Sequence, residues 1–297
     1  MALPNRASIY NKIYKVLKKY YKPVASSGER TVLEDMLYAC CLEDSHFDKA
    51  DVAFESVGKA FFGWNEVRVT TVTELSELMG GLQDPAAAAA RLKRVLQNMF
   101  ESCYSFDIES LRKQNIGKAV KLLEKYGGTP FVVAYVTQHS LAGHSIPKDR
   151  GTLQSLYIAG AISEVESQAG QSPGLERTVS KNKGVEFASL LHQLAADLTK
   201  TPHAPSVRAI FLDITADAKE RLPKRSAKPK PPPKTKSAKK PASKAIASKK
   251  ASPKKPTTKS KTASKSAAKP KAAAKKKQTT TKKKTATSRR ISKRKPK

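Results

Sequence analysis

The sequence predicts an all-α fold followed by a long, disordered basic tail. Apolar residues between Met1 and Pro223 recur at the three- and four-residue spacing of amphipathic helices. Capping residues and glycines separate these runs. From Lys224 to Lys297 there is no aromatic side chain from which a core could form. We therefore expect an N-terminal helix and linker (1–30), a helical body (31–223) and a tail (224–297).

The helices of the body are predicted from local signals. Thr71–Glu74 has the pattern of a capping box, Gly80 and Gly81 supply a stop, and Asp84-Pro85 opens a long apolar stripe. Apolar spacing predicts two earlier helices, one near the start of the chain and one from Leu33, and only Asn65–Thr70 indicates extended chain. Later helices are predicted at Ile116–Tyr126, Pro130–Leu141, Thr152–Ala161, Glu186–Leu198 and Pro205–Ala218.

Composition excludes several classes of protein. No apolar run approaches the ~18–20 residues that would span a membrane, and the N-terminus lacks the apolar stretch of a secretory signal. Three cysteines, of which Cys40 and Cys41 are adjacent, indicate reduced thiols in an intracellular protein. No cysteine or histidine pair has metal-ligand spacing, so we expect no metal and no cofactor.

The net charge of +32 is concentrated in the tail. Of the 57 Lys and Arg, 30 lie in Lys224–Lys297 without one Asp or Glu, which leaves 27 basic and 25 acidic residues in the body. Repulsion between like charges and the many prolines predict an extended, disordered chain. Lysine at this density neutralises phosphates and releases counterions, so we expect salt-sensitive binding to double-stranded DNA. Without aromatic side chains the tail cannot stack on unpaired bases, which favours the duplex.

Two tail segments resemble the tails of linker histones. Ser252–Lys255 is similar to their SPKK element, and Ala267–Lys277 has the same mixture of alanine, lysine and proline. This resemblance implies a binding mode and no common ancestry. A solubilising or localising tail, or one that binds RNA or an anionic membrane, is the alternative. The tail lysines expected to contact DNA are Lys254, Lys255, Lys275, Lys276, Lys277, Lys282, Lys283 and Lys284.

Four segments of the body follow one another in a distinctive order. Met36–Asp44 stands where one enzyme family has L-L-S-x-Q-x-T-D, and Phe62–Glu77 with Gly81-Leu82 matches that family's next loop, helix and glycine turn. Leu122–Ala134 (LLEKYGGTPFVVA) is similar to its L-P-G-V-G-x-x-T-A hairpin, and Ile146–Leu153 (IPKDRGTL) stands at its V-D-T-H segment. Together, over about Thr31–Ala218, the body resembles the helix-hairpin-helix DNA glycosylase superfamily, especially the endonuclease III branch.

The hairpin is a candidate DNA contact on physical grounds as well. We expect a turn at Gly127 and Gly128 to expose backbone N–H groups, and the next helix to begin at Thr129-Pro130 with the positive end of its dipole available for a phosphate. Lys125 would add charge. The alternative is that Gly127 ends one helix and Thr129 caps the next, with no ligand.

The resemblance also implies a role for Asp149, which matches the family's catalytic aspartate. In those enzymes a base is flipped out of the duplex, and the carboxylate stabilises cationic character at the sugar or activates the nucleophile. The alternative is that Asp149 caps the helix that follows.

The departures from the family pattern are informative. Thr129 stands where members that form a Schiff base have a lysine, and Lys125 stands where they have the first hairpin glycine. The glutamine that fills the gap left by the flipped base falls near Cys41. Gly151 and Thr152 replace the histidine of the family's V-D-T-H segment. The four cysteines that hold an iron–sulfur cluster in many members are absent after Ala188. These losses predict a divergent glycosylase without lyase activity, or a fold retained for binding.

The other candidate residues carry less weight. We expect His139 and His144 to be ordinary surface histidines, and Phe61, Phe62 and Trp64 to belong to the core. The expected function is duplex DNA binding by an intracellular, DNA-associated protein of a nucleus or a bacterial nucleoid. The alternatives are a monofunctional N-glycosylase that uses Asp149 and a purely architectural nucleoid or chromatin protein.

Overall fold

The computed structural model describes residues 5–24 and 30–224, so the predicted tail lysines from Lys254 onward lie outside the described residues. Within the described ranges the chain is helical and contains no strand, which confirms the all-α prediction. A short 3-10 helix covers Glu109–Lys113. The α-helices of these ranges are α1 (Arg6–Tyr20), α2 (Val32–Leu42), α3 (Phe47–Ala60), α4 (Trp64–Val69), α5 (Val72–Leu78), α6 (Pro85–Cys103), α7 (Ile116–Lys125), α8 (Pro130–His139), α9 (Arg150–Ile158), α10 (Glu164–Gln168), α11 (Leu175–Thr178), α12 (Lys181–Lys200), α13 (Pro205–Ile214) and α14 (Ala218–Arg221).

Capping side chains start several helices where the sequence predicts them. The Thr71 hydroxyl accepts the Glu74 N–H, and the Glu74 carboxylate accepts the Thr71 N–H, so the capping box of α5 is confirmed. Asp84 caps α6, and Pro85 occupies its first turn. An additional capping box at Thr31 and Glu34 starts α2. These pairs satisfy N–H groups that the first turn of a helix leaves without partners.

The prediction of extended chain at Asn65–Thr70 is wrong, because this segment forms most of α4. Local hydrogen bonds outweigh the strand preference of its two valines. The Glu66 carboxylate accepts the N–H of Phe62, 2.9 Å away. The Arg68 guanidinium donates to the Asn65 side chain within the same turn.

Two hydrophobic clusters divide the described residues. Helices α2 to α8 build the first, around residues such as Met36, Leu96 and Val132. Helices α1, α9 and α11 to α14 build the second, around Leu17 and Phe187. We call residues 30–141 the central lobe, and residues 5–24 with 146–222 the terminal lobe. Helix α1 is therefore part of the terminal lobe.

The backbones of α9 and α12 approach each other closely at Gly151. A Cβ atom at this position would lie 2.7 Å from the Thr199 hydroxyl oxygen and 2.9 Å from the carbonyl oxygen of Ala195. Only glycine fits without a shift of the backbone. The contact holds the start of α9, and with it Asp149, against α12.

Among the described residues no helix is both long and apolar enough to cross a membrane. The three cysteines are free, with Cys40 and Cys41 buried and Cys103 exposed.

Candidate functional site

The turn after α7 is a Schellman motif. Gly127 adopts a φ of +84°, the left-handed conformation that favours glycine. Its N–H donates to the Glu124 carbonyl at 2.9 Å, and the Gly128 N–H donates to the Leu123 carbonyl at 3.1 Å. The interpretation of Gly127 as a helix end is therefore confirmed. Both glycine amides are engaged within the turn, so a phosphate contact here has to use other donors.

Thr129 caps α8, as the alternative interpretation of the hairpin predicts. Its hydroxyl oxygen accepts the Val132 N–H at 3.2 Å, and the hydroxyl donates to the Glu43 carboxylate at 2.8 Å. Arg94 donates from Nε to the Gly127 carbonyl at 3.1 Å. Lys125 is exposed beside this turn and forms no ion pair with any described residue.

Lys125 completes a basic stripe along α7. Lys118, Lys121 and Lys125 are three and then four residues apart, which places them on one face of the helix. All three are exposed, and in the described part of the chain none is ion-paired. Lys118 and Lys121 were not predicted as site residues, although their spacing is visible in the sequence. The stripe leads directly to the hairpin turn.

Asp149 is buried, with 4% of its surface exposed. It caps α9, since Oδ1 accepts the Thr152 N–H at 2.7 Å. Oδ2 accepts a longer hydrogen bond, 3.4 Å, from the backbone N–H of Asp44. The N-cap interpretation of Asp149 is therefore confirmed.

The remaining partner of Asp149 is His192, which the sequence analysis did not identify. His192 Nδ1 lies 3.2 Å from Asp149 Oδ2, and Nε2 lies 2.7 Å from the Ser45 carbonyl oxygen. A carbonyl only accepts, so Nε2 carries a proton, and a proton on Nδ1 faces the carboxylate. The two groups form a buried ion pair.

The pKa values of the pair agree with this geometry. Burial by itself lowers the pKa of His192, but the Asp149 carboxylate outweighs it and the His192 pKa is raised. Burial likewise raises the pKa of Asp149, but His192 and the Thr152 N–H outweigh it and lower the Asp149 pKa to about 2. Both shifts favour the charged forms, an imidazolium and a carboxylate, and each charge offsets the other.

The turn at Glu43–Ser45, after α2, joins the hairpin to Asp149. Glu43 bonds to Thr129, Asp44 donates to Asp149, and Ser45 accepts from His192. Arg91 anchors the turn at 3.2 Å from the Glu43 carboxylate and also donates to the Glu43 carbonyl. The structure therefore brings Thr129 and Asp149 to one turn. Within the described ranges, no group of three His, Cys, Asp or Glu side chains is placed to hold a metal ion.

A cavity of about 770 Å³ lies where the two lobes meet. His192 lines it, whereas Asp149 is not among the lining residues. The carboxylate therefore lies behind the imidazole as seen from the cavity. Helices α2, α3, α4, α8 and α12 all contribute to its wall.

Two expectations about residues at this cavity are wrong. His139 is half-buried rather than on the surface, and its ring stacks on Tyr135 at a centroid distance of 4.2 Å. Burial lowers the pKa of His139 to about 4, so the ring is neutral at physiological pH. Phe62 is fully exposed, whereas Phe61 and Trp64 pack against the central core as expected. Phe62 lies in the short loop between α3 and α4, and neither of these two helices covers its ring.

No protein-family model matches this chain. No curated protein matches it either. The relationship to the helix-hairpin-helix glycosylases therefore remains a prediction based on the four sequence segments and their order.

Proposed function

We propose that this protein binds double-stranded DNA, with its tail as the main anchor. The observation that carries the proposal is the charge of Lys224–Lys297, which contains 30 basic residues and no acidic one. Binding of this kind depends on phosphates and not on base sequence, and it weakens steeply as salt increases. The protein would then be intracellular and associated with DNA in a nucleus or nucleoid.

The α7 stripe supports a second, weaker contact from the body. Lys118, Lys121 and Lys125 present three unpaired charges in a line that ends at the hairpin. Because the glycine amides of the turn are engaged, these ammonium groups are the available phosphate donors on α7 and its turn. A rigid helix holding them would orient the body on the duplex after the tail has bound.

The surroundings of Asp149 favour a body that only binds DNA over an active glycosylase. A carboxylate that stabilises a cationic sugar must face that sugar. Here the carboxylate caps α9, is buried and is neutralised by His192 at 3.2 Å. We therefore place the monofunctional N-glycosylase using Asp149 second. A purely architectural nucleoid or chromatin protein shares the proposed DNA contacts and differs only in what its body contacts.

The DNA-binding proposal is tested by comparing the full chain with a chain ending at Pro223 on random duplex DNA over a salt series. Each phosphate neutralised steepens the plot of log K against log salt by roughly 0.9. The shortened chain should bind much more weakly and with a shallower slope. Equal affinity and equal slope for the two chains would show that the tail is not the anchor.

The chemistry is tested separately with duplexes that carry oxidised, alkylated or deaminated bases. We expect no base release, because the Asp149 carboxylate is buried and paired with His192. We also expect no covalent complex after borohydride reduction, because Thr129 offers no amine. Release that disappears in Asp149→Asn would instead establish the glycosylase alternative. Release that persists in this variant would exclude the role of Asp149 that the resemblance implies.

A further inference from the structure

Helix α13 carries apolar side chains on two opposite faces. Its buried face packs into the terminal lobe through Val207, Ile210, Phe211 and Ile214. Pro205, Ala209 and Leu212 lie four and then three residues apart on the other face, and all three are exposed. Leu212 leaves 45% of its surface uncovered. A surface helix ordinarily presents polar side chains to water, so the exposed face of α13 is a candidate docking surface.

The exposed face of α13 lines an open groove of about 660 Å³, which we call the α13 groove. The groove is also lined by Lys219 of α14 and by Leu222–Lys224, the segment that follows this helix. Arg208 Nη1 donates to the Pro223 carbonyl at 3.4 Å and so joins α13 to this segment. None of the residues that line the groove also lines the cavity at His192. The α13 groove is therefore a separate feature of the terminal lobe.

The charges that line the α13 groove are of one sign. Arg208, Lys219 and Lys224 line it, whereas no Asp or Glu does. None of the three forms an ion pair with a described residue. The carboxylates of Asp213 and Glu220 are exposed on the same two helices but lie outside the groove. The groove therefore combines apolar surface with unpaired positive charge.

Charge and polarity together indicate what occupies the groove. The charged residues from Lys224 onward are all basic, so like charges disfavour the chain's own tail as the occupant. The phosphates of a DNA duplex would pair with the cations, but they would leave Leu212 without an apolar partner and would approach the carboxylates of Asp213 and Glu220. An acidic peptide that also carries apolar side chains matches both features of the groove.

We propose that the α13 groove binds an acidic peptide segment of a partner protein, in which apolar side chains are interspersed among carboxylates. The apolar side chains cover Ala209 and Leu212, while the carboxylates pair with Arg208, Lys219 and Lys224. The partner is thereby placed where the body ends and the basic tail begins. This proposal depends on DNA binding neither by the tail nor by the α7 stripe.

The test uses a chain that ends at Pro231, which retains the compact unit of the body and both hydrophobic clusters. It lacks most of the tail, whose lysines would bind any acidic peptide, and its terminal carboxylate lies beyond the groove. Fluorescence anisotropy measures its affinity for a labelled peptide of glutamate and leucine, and for a peptide of equal charge made of glutamate and serine. We expect the leucine peptide to bind about tenfold more tightly, because only leucine can cover Leu212.

Leu212→Ser should abolish the preference for the leucine peptide. Val165→Ser is the matched control, because Val165 is also exposed and does not line the groove. Lys219→Glu should weaken the binding of both peptides about fivefold or more, since it replaces an attraction by a repulsion. Lys181→Glu has the same net charge and should bind as the wild type does, because Lys181 begins α12 and does not line the groove. All four positions are exposed, so thermal unfolding should change little.

The proposal is overturned if the two peptides bind equally well, or if a folded Leu212→Ser keeps the preference for leucine. If Lys219→Glu weakens the binding of a DNA duplex but not of either peptide, the groove is a phosphate contact instead. Self-association of the wild-type chain that Lys219→Glu abolishes, measured by sedimentation, would assign the groove to a second copy and also overturn the proposal. Because the peptide titrations contain no DNA, failure of the proposed DNA binding would leave them unaffected.

Discussion

His192 Nδ1 lies 3.2 Å from Asp149 Oδ2, and this contact ties α12 to the beginning of α9. The same imidazole reaches the Ser45 carbonyl of the central lobe through Nε2. One side chain therefore holds the aspartate, its own helix and the turn after α2 together. In this arrangement the Asp149 carboxylate stabilises the fold through its contact with His192.

His192→Gln should lower the free energy of unfolding by about 3–5 kcal/mol, because it leaves the Asp149 carboxylate buried without its counter-charge. Urea denaturation at neutral pH measures the loss. The double variant with Asp149→Asn should recover part of it, since both charges are then gone. A double variant as unstable as the sum of the two single variants would show that the pair is not coupled.

The contribution of the Asp149–His192 pair to the free energy of unfolding should decrease at both low and high pH. The Asp149 pKa is depressed to about 2, so its contribution is complete above the ordinary value of about 4 and is lost as the pH falls towards 2. The His192 pKa is raised, so its contribution is complete below about 6.5 and is lost as the pH rises through the folded value. The stability difference between the wild type and the double variant should therefore be largest between about pH 4 and 6.5. A difference that does not change with pH would mean that the pair is not ionised.

Gly151→Ala should destabilise the protein by about 1–3 kcal/mol, because its Cβ would meet the Ala195 carbonyl of α12. Gly58→Ala is the matched control: Gly58 is also helical, and a Cβ there would meet nothing within 4 Å. That control should stabilise the protein by roughly 0.5–1 kcal/mol. Thermal unfolding distinguishes the two variants, and a stabilising Gly151→Ala would rule out the close approach of α9 and α12.

Replacing Lys118, Lys121 and Lys125 with Gln should weaken duplex binding by the chain that ends at Pro223 and reduce its salt slope. Lys12, Lys15 and Lys19 on α1 form a control triple, because they have the same spacing and are also exposed. The two triple variants carry the same net charge. Equal losses of affinity would indicate that only overall charge matters and that α7 is not a specific contact.

The sequence predicted features whose causes are local. The caps of α5 and α6 depend on residues within one turn, so Thr71 and Asp84 could be recognised without the fold. The error at α4 has a local cause too, because two valines indicated a strand while the bonds made by Glu66 and Arg68 favour a helix.

The partner of Asp149 could not be found in this way. His192 lies on the buried face of α12 among leucines and alanines, and its spacing gives no motif. A histidine in such an apolar face needs a polar partner, but only the packing of α9 on α12 shows which one. The cavity likewise combines side chains from five helices, and no single segment of the chain indicates it.

The terminal lobe is built from the two ends of the described chain, and this has a consequence for its biosynthesis. Helix α1 leaves the ribosome before the other described helices, but Tyr10, Ile13 and Leu17 bury against helices that are made later, from α9 onward. The central lobe is contiguous and can fold while the rest is still being translated. Until α12 and α13 emerge, the apolar face of α1 has no partner and is exposed to solvent and to other nascent chains. Ribosomes that stall before α12 should therefore display α1 as a chaperone-binding segment.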